Sequence, residues 1–218
     1  MDNDPAALGE LESLGIRNVP VTVIGDRTIL GFNREELAAA LHLSFTKEKK
    51  TADQTFFDRL DRVLEALIQA SRQVPPDHFM WKTPDRDRSM KVFCYHILAD
   101  PNHVMDAIST RKYDGSFKLT YAEAAERFQN MEEIARFGDE TRVRLRQWSQ
   151  TIRPPDLERT LEGYSGKTNG NDLLHLVLSH TAHHLRQLYD CLSKLGVTPK
   201  DPLGKEDFRG IKMPQELW

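Results

Sequence analysis

Three histidines, His180, His183 and His184, fall within five positions of the segment LSHTAHHLRQL, which spans residues 178–188. Side chains four residues apart on an α-helix lie on the same face, one turn apart. His180 and His184 can therefore direct their imidazoles at one metal ion. His183 is turned about 100° from His184 around the helix and is expected to face solvent or a neighbouring helix. Such pairs also arise by chance, so the spacing alone indicates a metal site without requiring one.

The surroundings of the pair strengthen this interpretation. Burying two imidazoles without partners costs on the order of a few kcal/mol each, and a metal ion would satisfy both. A third ligand must come from another helix, and His96 lies in the middle of the apolar stretch 92–98. His103 is seven residues further on, beyond Pro101, which is expected to kink or split that helix. The apolar neighbours of the pair are Leu173, Leu174, Val177, Leu178 and Leu188.

Two roles are possible for each of several other polar residues near these histidines. Asp100 and Asp172 either orient a ligand histidine or act as helix-end charges. Arg186 faces either the mouth of a cavity or solvent. Cys94 and Cys191 are the only cysteines, lie far apart and form no CxxC motif. They indicate a reducing compartment rather than a disulfide scaffold, and Cys94 is interpreted as a small core residue.

Composition restricts the class of protein. Hydrophobic residues make up 39 % of the 218 residues, charged residues 29 %, and the formal net charge is −3, as is typical of a soluble globular protein. Basic residues form no continuous stripe, so no nucleic-acid partner is expected. The apolar runs are too short to span a bilayer and the N-terminus lacks signal-peptide features, so we expect no membrane association and a cytoplasmic location.

The elements that must position the histidines are helices. Apolar residues recur at helical spacing after residue 52, where no further strand pattern is found. Thr120, with Glu123 three residues later, is expected to cap the third helix, and the stretch 163–170 is read as a plain connection. The sequence therefore predicts a mainly α fold, a four-helix bundle. The first helix begins near residue 52 and ends at Val74-Pro75-Pro76, and the others span 89–108, 120–148 and 171–195.

The placement of His96 and of His180-Thr-Ala-His183-His184-Leu-Arg-Gln resembles the DinB/YfiT-like metalloprotein superfamily. The usual signature is H-x-x-H-H-R-G-Q, so the arginine is displaced by one here and the glycine is missing. The stretch 81–89, which leads into the second helix, is also similar. This resemblance covers residues 52–196 and places a DinB-like domain at 50–218. It implies a homodimer in which His96, His180 and His184 hold a divalent ion.

Several functions are consistent with such a site. Three neutral imidazoles suit Zn²⁺, Ni²⁺ or Fe²⁺, and three ligands leave a coordination position for water or a thiolate. The resemblance implies a metal-dependent transferase that joins a low-molecular-weight thiol to a small-molecule electrophile, with catalytic residues unidentified. One alternative is a non-catalytic metal-binding sensor or stress-related interaction module, since few acid–base residues accompany the histidines. In another, the three histidines bind no metal and are hydrogen-bonded core residues.

Residues 1–45 form a separate small α/β segment. A helix over 8–14, strands over 19–24 and 28–30, and a helix over 35–41 are predicted. Residues 8–41 resemble the C-terminal half of a glutaredoxin, a member of the thioredoxin fold class. The resemblance implies a cis Val19-Pro20 bond and backbone contact of Val19 and Pro20 with glutathione or another thiol. The CxxC is missing, which excludes thiol–disulfide exchange by this segment. It is expected to pack on the bundle, to pair with its counterpart in a second subunit, or to continue a chain that begins before Met1.

Overall fold

The computed structural model describes residues 5–13, 15–16, 21–30, 34–45, 51–84, 87–164 and 166–218. The chain divides into two compact units. The first comprises residues 1–49 with 164–167, and the second comprises residues 50–163 with 168–218.

The first unit contains two helices and a hairpin. Helix α1 (Pro5–Ser13) precedes β1 (Val21–Ile24) and β2 (Arg27–Leu30), and α2 (Arg34–Ala40) follows. The strands pair antiparallel with Val21 opposite Leu30, and Gly25 adopts φ +57° in the turn, where glycine is favoured. This is the predicted order of helix, hairpin and helix. Val19 and Pro20 lie outside the described residues, and so does the thiol contact predicted for them.

The second unit is a bundle of four long helices. Helix α3 contacts α6 and α8, and helix α4 contacts the same two neighbours, so α3 and α4 face each other across the bundle. This confirms the predicted mainly α fold. Within the described part of the chain, no helix is long and apolar enough to cross a bilayer. The long helices are α3 (Gln54–Arg72), α4 (Met90–Thr110), α6 (Met131–Ser149) and α8 (Gly170–Lys194), and the short ones are α5 (Tyr121–Ala125) and α7 (Pro154–Glu158).

Each long helix begins at a polar residue whose side chain accepts a hydrogen bond from the backbone N–H three positions later. This arrangement satisfies a helix N–H that has no partner within the helix. Gly196, with φ +76°, follows α8 and ends it where the sequence predicts. The four capping residues are Asp53, Ser89, Asn130 and Asn169.

The predicted third helix over 120–148 is wrong in its first third. It is divided into α5 and α6, and Thr120 caps neither, because its hydroxyl donates to the Phe117 carbonyl. Asn130 starts a new helix instead: its side chain accepts from the Glu133 N–H, while the Glu133 carboxylate accepts from the Gln129 N–H. This local capping, together with burial of Phe128 before it, explains why one continuous helix does not form.

The prediction that no strand follows residue 52 is also wrong. A small sheet has the strand order β3-β4-β5, with β3 parallel to β4. The stretch 163–170, read as a plain connection, contains part of it. Leu161 of this sheet is 3 % exposed, so its buried side chain anchors the strand to the core. The strand is too short to show the alternating pattern by which strands are predicted. The strands are β3 (Lys112–Tyr113), β4 (Thr160–Gly163) and β5 (Gly166–Asn169).

Helix α4 runs without interruption through Pro101, so the expected splitting does not occur. Proline removes one backbone hydrogen bond inside a helix, but Pro101 is buried in the bundle, and packing on both sides holds the helix together. His96 and Asp100 therefore lie on one rigid element.

Gly138 of α6 packs closely against helices α3 and α4. A Cβ added there would be 2.8 Å from Ile68 Cγ1 and 3.0 Å from Leu98 Cδ2. We expect Gly138→Ala to lower the free energy of unfolding by about 1–3 kcal/mol through overpacking, in spite of alanine's better helix propensity. Urea denaturation measures this change.

Gly9→Ala in α1 is the matched control, because a Cβ there meets nothing within 4 Å. It should be neutral or stabilising by up to about 1 kcal/mol. Equal effects of the two substitutions would contradict the close approach at Gly138.

Candidate metal centre

The structure brings together the three histidines that the sequence predicts as metal ligands. His96 comes from α4, and His180 and His184 come from successive turns of α8. One ring nitrogen from each lies within 4.8 Å of the others. Among the described residues, this is the group of histidine, cysteine and carboxylate side chains close enough to share an ion.

The spacing of the rings is close to that of a mononuclear site. Nε2 of His180 is 2.9 Å from Nε2 of His184, and the His96 ring centre lies 4.9 Å from that of His184 and 5.5 Å from that of His180. Zinc–nitrogen bonds of about 2.0–2.1 Å place tetrahedral ligand nitrogens about 3.3 Å apart. The two Nε2 atoms of His180 and His184 lie closer together than this value, and all three ligand nitrogens lie within 4.8 Å of one another.

The far ring nitrogen of each α8 histidine lies beside an acceptor oxygen. The Gln187 amide oxygen accepts from Nδ1 of His184. Oδ2 of Asp100 lies 2.8 Å from Nδ1 of His180, although the ring N–H does not point straight at it. The other Asp100 oxygen accepts from the Tyr121 hydroxyl. Both Nδ1 atoms therefore face acceptors and favour carrying the proton.

These tautomers leave lone pairs on the two Nε2 atoms that face each other. Neutral imidazole has one donor and one acceptor nitrogen, so protons on Nδ1 make both Nε2 atoms acceptors. Two acceptors 2.9 Å apart repel each other unless a proton or a cation lies between them. The donor set thus fits a divalent ion better than it fits a metal-free pair of core histidines.

Burial keeps two of these imidazoles neutral. His96 is 6 % exposed, and burial together with the nearby His184 lowers its pKa well below the usual value. Burial, followed by the proximity of His180, lowers the pKa of His184 to about 2. Neutral imidazole is the form that binds a metal, so neither ring has to lose a proton near neutral pH.

Arg88 contacts His96, the third histidine of the cluster. Its guanidinium donates to Nε2 of His96 across 3.4 Å and covers the Phe93 ring at 4.8 Å. Because a guanidinium can only donate, Nε2 of His96 also presents a lone pair. This hydrogen bond and a metal ion compete for the same nitrogen.

Arg88→Met is therefore expected to tighten metal binding by about tenfold, which corresponds to about 1.4 kcal/mol, because it removes a competing donor and a positive charge. Competition with a chromogenic chelator measures the affinity. Lys82→Met is the control, since Lys82 lines the same cavity but pairs with Asp87 at 2.9 Å. Weaker binding by Arg88→Met would contradict the competition.

A cavity of about 580 Å³ opens over the histidines. Met80, Val92 and Leu119 provide apolar surface, while Arg88 and Lys118 provide positive charge. The volume suits a small molecule, and the charge suits one that carries an anionic group. The remaining lining residues are Lys82, Asp87, Ser89, His96, Asp100, Tyr121, Ala122, His180 and His184.

The two carboxylates considered from the sequence have different positions. Asp100 contacts His180 and is placed to orient it. Asp172 lies in the first turn of α8, eight residues before His180 and thus about 12 Å away along the helix axis. Its backbone N–H donates to Asn169, so it occupies the position of a helix-end charge.

The other candidates lie outside the cluster. His183 is half-buried, with its ring centre 5.7 Å from that of His184. Arg186 donates to the Pro214 carbonyl at 3.3 Å and is not among the residues that line the cavity. His103 stacks on Phe117 at 4.2 Å.

Both cysteine thiols are fully buried. Burial raises the pKa of Cys94 to about 12, so this thiol stays protonated and unreactive. The structure thus supports the interpretation of Cys94 as a small core residue.

Three residues at the site were not predicted from the sequence. No sequence pattern indicates a contact for Tyr121, because it falls inside the predicted third helix. Arg88 lies in the stretch 81–89, whose resemblance to the superfamily assigns it no role. Gln187 follows His184 by three residues and belongs to the signature, and that spacing on a helix could have suggested a contact.

The fold and the cluster define the class of this protein: a four-helix bundle in which three histidines from two helices could hold a metal ion. The sequence profile of the DinB superfamily matches residues 44–188, and the chain belongs to this superfamily. The match begins after residues 8–41 and does not bear on their resemblance to a glutaredoxin.

A solved structure supports the fold. A DinB-like protein from Bacillus subtilis is similar with a TM-score of 0.53 and 17 % sequence identity, over 66 % of this chain and 94 % of that one. At this identity the likeness concerns the fold alone. No curated protein matches the chain.

Proposed function

We propose that this protein binds a divalent metal ion through His96, His180 and His184 and uses it to transfer a low-molecular-weight thiol to a small-molecule electrophile. The observation that carries the proposal is the cluster of three imidazoles, with one nitrogen from each within 4.8 Å of the others, in the lining of a cavity. Zn²⁺, Ni²⁺ and Fe²⁺ all accept such ligands.

The chain would support this chemistry in three ways. A bound ion would favour ionisation of a thiol at its remaining coordination position. Arg88 and Lys118 line the cavity, and their positive charge would stabilise an anionic thiolate or carboxylate there. Asp100, itself held by Tyr121, would keep Nε2 of His180 directed at the ion.

The thiol and the assembly are further parts of the proposal. Glutathione is one candidate thiol, and we propose that Val19 and Pro20 contact it through their backbone, as the glutaredoxin resemblance implies. We also propose that the protein acts as a homodimer in the cytoplasm, with no nucleic-acid or membrane partner. Analytical ultracentrifugation of the full chain tests the dimer.

Thiol conjugation by defined metal forms tests the activity. Metal-free protein is reloaded with Zn²⁺, Ni²⁺ or Fe²⁺, the last without oxygen, and mixed with an aryl halide and glutathione, cysteine or another cellular thiol. Turnover that requires both metal and thiol is expected, and it should disappear in His96→Ala. Absence of turnover with every thiol and a panel of electrophiles, in protein shown to hold one metal, would overturn the transferase proposal.

A non-catalytic metal sensor or interaction module is the second candidate. Its favouring observation is that the Tyr121 hydroxyl donates to Asp100, whose other oxygen lies beside Nδ1 of His180, so both side chains are already engaged. Burial and the Asp100 charge also raise the pKa of Tyr121, so this hydroxyl is a poor proton source. Metal binding without thiol-dependent turnover, accompanied by a metal-dependent change in oligomeric state, would favour this function.

A further inference from the structure

Residues 212–218, here called the tail segment, lie along helix α8 beside the histidines. Backbone carbonyls of the tail segment accept hydrogen bonds from α8 side chains, and its last residue donates to another. The contacts follow the direction of the helix, so the tail segment lies along it, with a bend at residues 215–216. The pairs are Ser179 with Lys212, Arg186 with Pro214, Gln187 with Leu217, and Asp190 with Trp218.

Gln187 connects the tail segment to the candidate metal centre. It is 4 % exposed, and both ends of its amide are engaged. Its nitrogen donates to the Leu217 carbonyl, and its oxygen accepts from Nδ1 of His184. A backbone carbonyl can only accept, so the Leu217 contact determines which end of the amide faces His184.

This orientation decides which ring nitrogen of His184 is available. With the amide oxygen at Nδ1, the proton stays on Nδ1 and Nε2 presents a lone pair towards His180 and His96. A reversed amide would place NH₂ against Nδ1, move the ring proton to Nε2 and remove the lone pair from the site.

We propose that the tail segment positions His184 as a metal ligand by fixing the orientation of the Gln187 amide. Gln187 acts through His184, and the Leu217 carbonyl acts through Gln187, so both are positioning groups. This inference rests on the proposed metal binding.

Trp218 secures the end of the tail segment. Its indole N–H donates to Asp190 Oδ2 at 2.7 Å, and Lys194 Nζ lies 5.8 Å from its ring centre. The side chain is 37 % exposed. Its removal should release the tail segment without disturbing the bundle core.

The test uses the full chain with four substitutions. Gln187→Met removes the acceptor for His184, Gln187→Glu keeps an acceptor there, and Trp218→Ala releases the tail segment. Gln215→Ala is the control, because this exposed side chain lies in the same segment. Co²⁺ and Zn²⁺ affinities are measured by chelator competition, and ring ¹⁵N shifts of His184 in the metal-free proteins report its tautomer.

We expect about 10–100-fold weaker binding for Gln187→Met and about tenfold weaker binding for Trp218→Ala. Both should show more Nε2-protonated His184. Gln187→Glu and Gln215→Ala should bind within about threefold of the unchanged protein, since each retains an acceptor at His184.

The outcomes separate this inference from the function on which it rests. If the unchanged chain binds neither Co²⁺ nor Zn²⁺, the proposed function fails. If it binds them, but Gln187→Met and Trp218→Ala bind equally well with an unchanged tautomer, the positioning role is overturned and metal binding stands.

Discussion

His180→Ala is expected to abolish stoichiometric metal binding. One of three ligands is lost, and it is the imidazole whose Nε2 lies 2.9 Å from Nε2 of His184, so two ligands remain. We expect the affinity to fall at least about 1,000-fold, or about 4 kcal/mol. Elemental analysis of protein purified without a histidine tag and chelator competition measure this loss.

His183→Ala is the matched control for this experiment. It removes an imidazole from the same helix turn, but its ring lies outside the cluster. This variant should keep one equivalent of metal, and added metal should still raise its thermal midpoint, because binding to the folded state alone stabilises it. Equal metal content in His180→Ala and the unchanged chain would remove the proposed centre.

Phe93→Ala is expected to give the largest loss of stability. Phe93 is fully buried, and its ring centre lies 5.8 Å from that of His96 and 5.4 Å from that of His184. Truncating a buried phenylalanine costs about 3–5 kcal/mol, because a cavity remains. Urea denaturation of the metal-free protein measures the change, and metal affinity should fall as well, since both rings lose their support.

Val143→Ala in α6 is the control for burial, since Val143 is 51 % exposed. It should change the free energy of unfolding by no more than about 0.5 kcal/mol. A loss below about 1 kcal/mol in Phe93→Ala would show that the ring is not needed to support the two histidines.

The bundle could be predicted from the sequence because its long helices are strongly periodic and have clear boundaries. Phe56, Leu60, Leu64 and Leu67 repeat at helical spacing and are all buried. Gly196 marks the end of α8. The histidine cluster could be predicted for a related reason: a spacing of four places two ligands on one face of a helix. His96 lies in the middle of another apolar stretch, where the family resemblance also implies a ligand.

The rest depends on contacts between residues distant in sequence. Tyr121 lies on the separate short helix α5 and donates to Asp100 of α4, twenty-one residues away in sequence. The Gln187 amide is fixed by Leu217, thirty residues away. Pattern reading gives the periodicity of a segment, but it does not show where a side chain finds a partner on another segment.

The burial of both cysteines has a practical consequence for work on this protein. With Cys94 and Cys191 at 0 % exposure, the folded chain should resist alkylating reagents, because neither thiol is accessible and burial also raises the pKa of Cys94. Consumption of an electrophile in an assay would then reflect its reaction with the added thiol and not alkylation of the protein's own cysteines. For the same reason, the rate at which iodoacetamide labels these cysteines, followed by mass spectrometry, measures transient opening of the bundle interior.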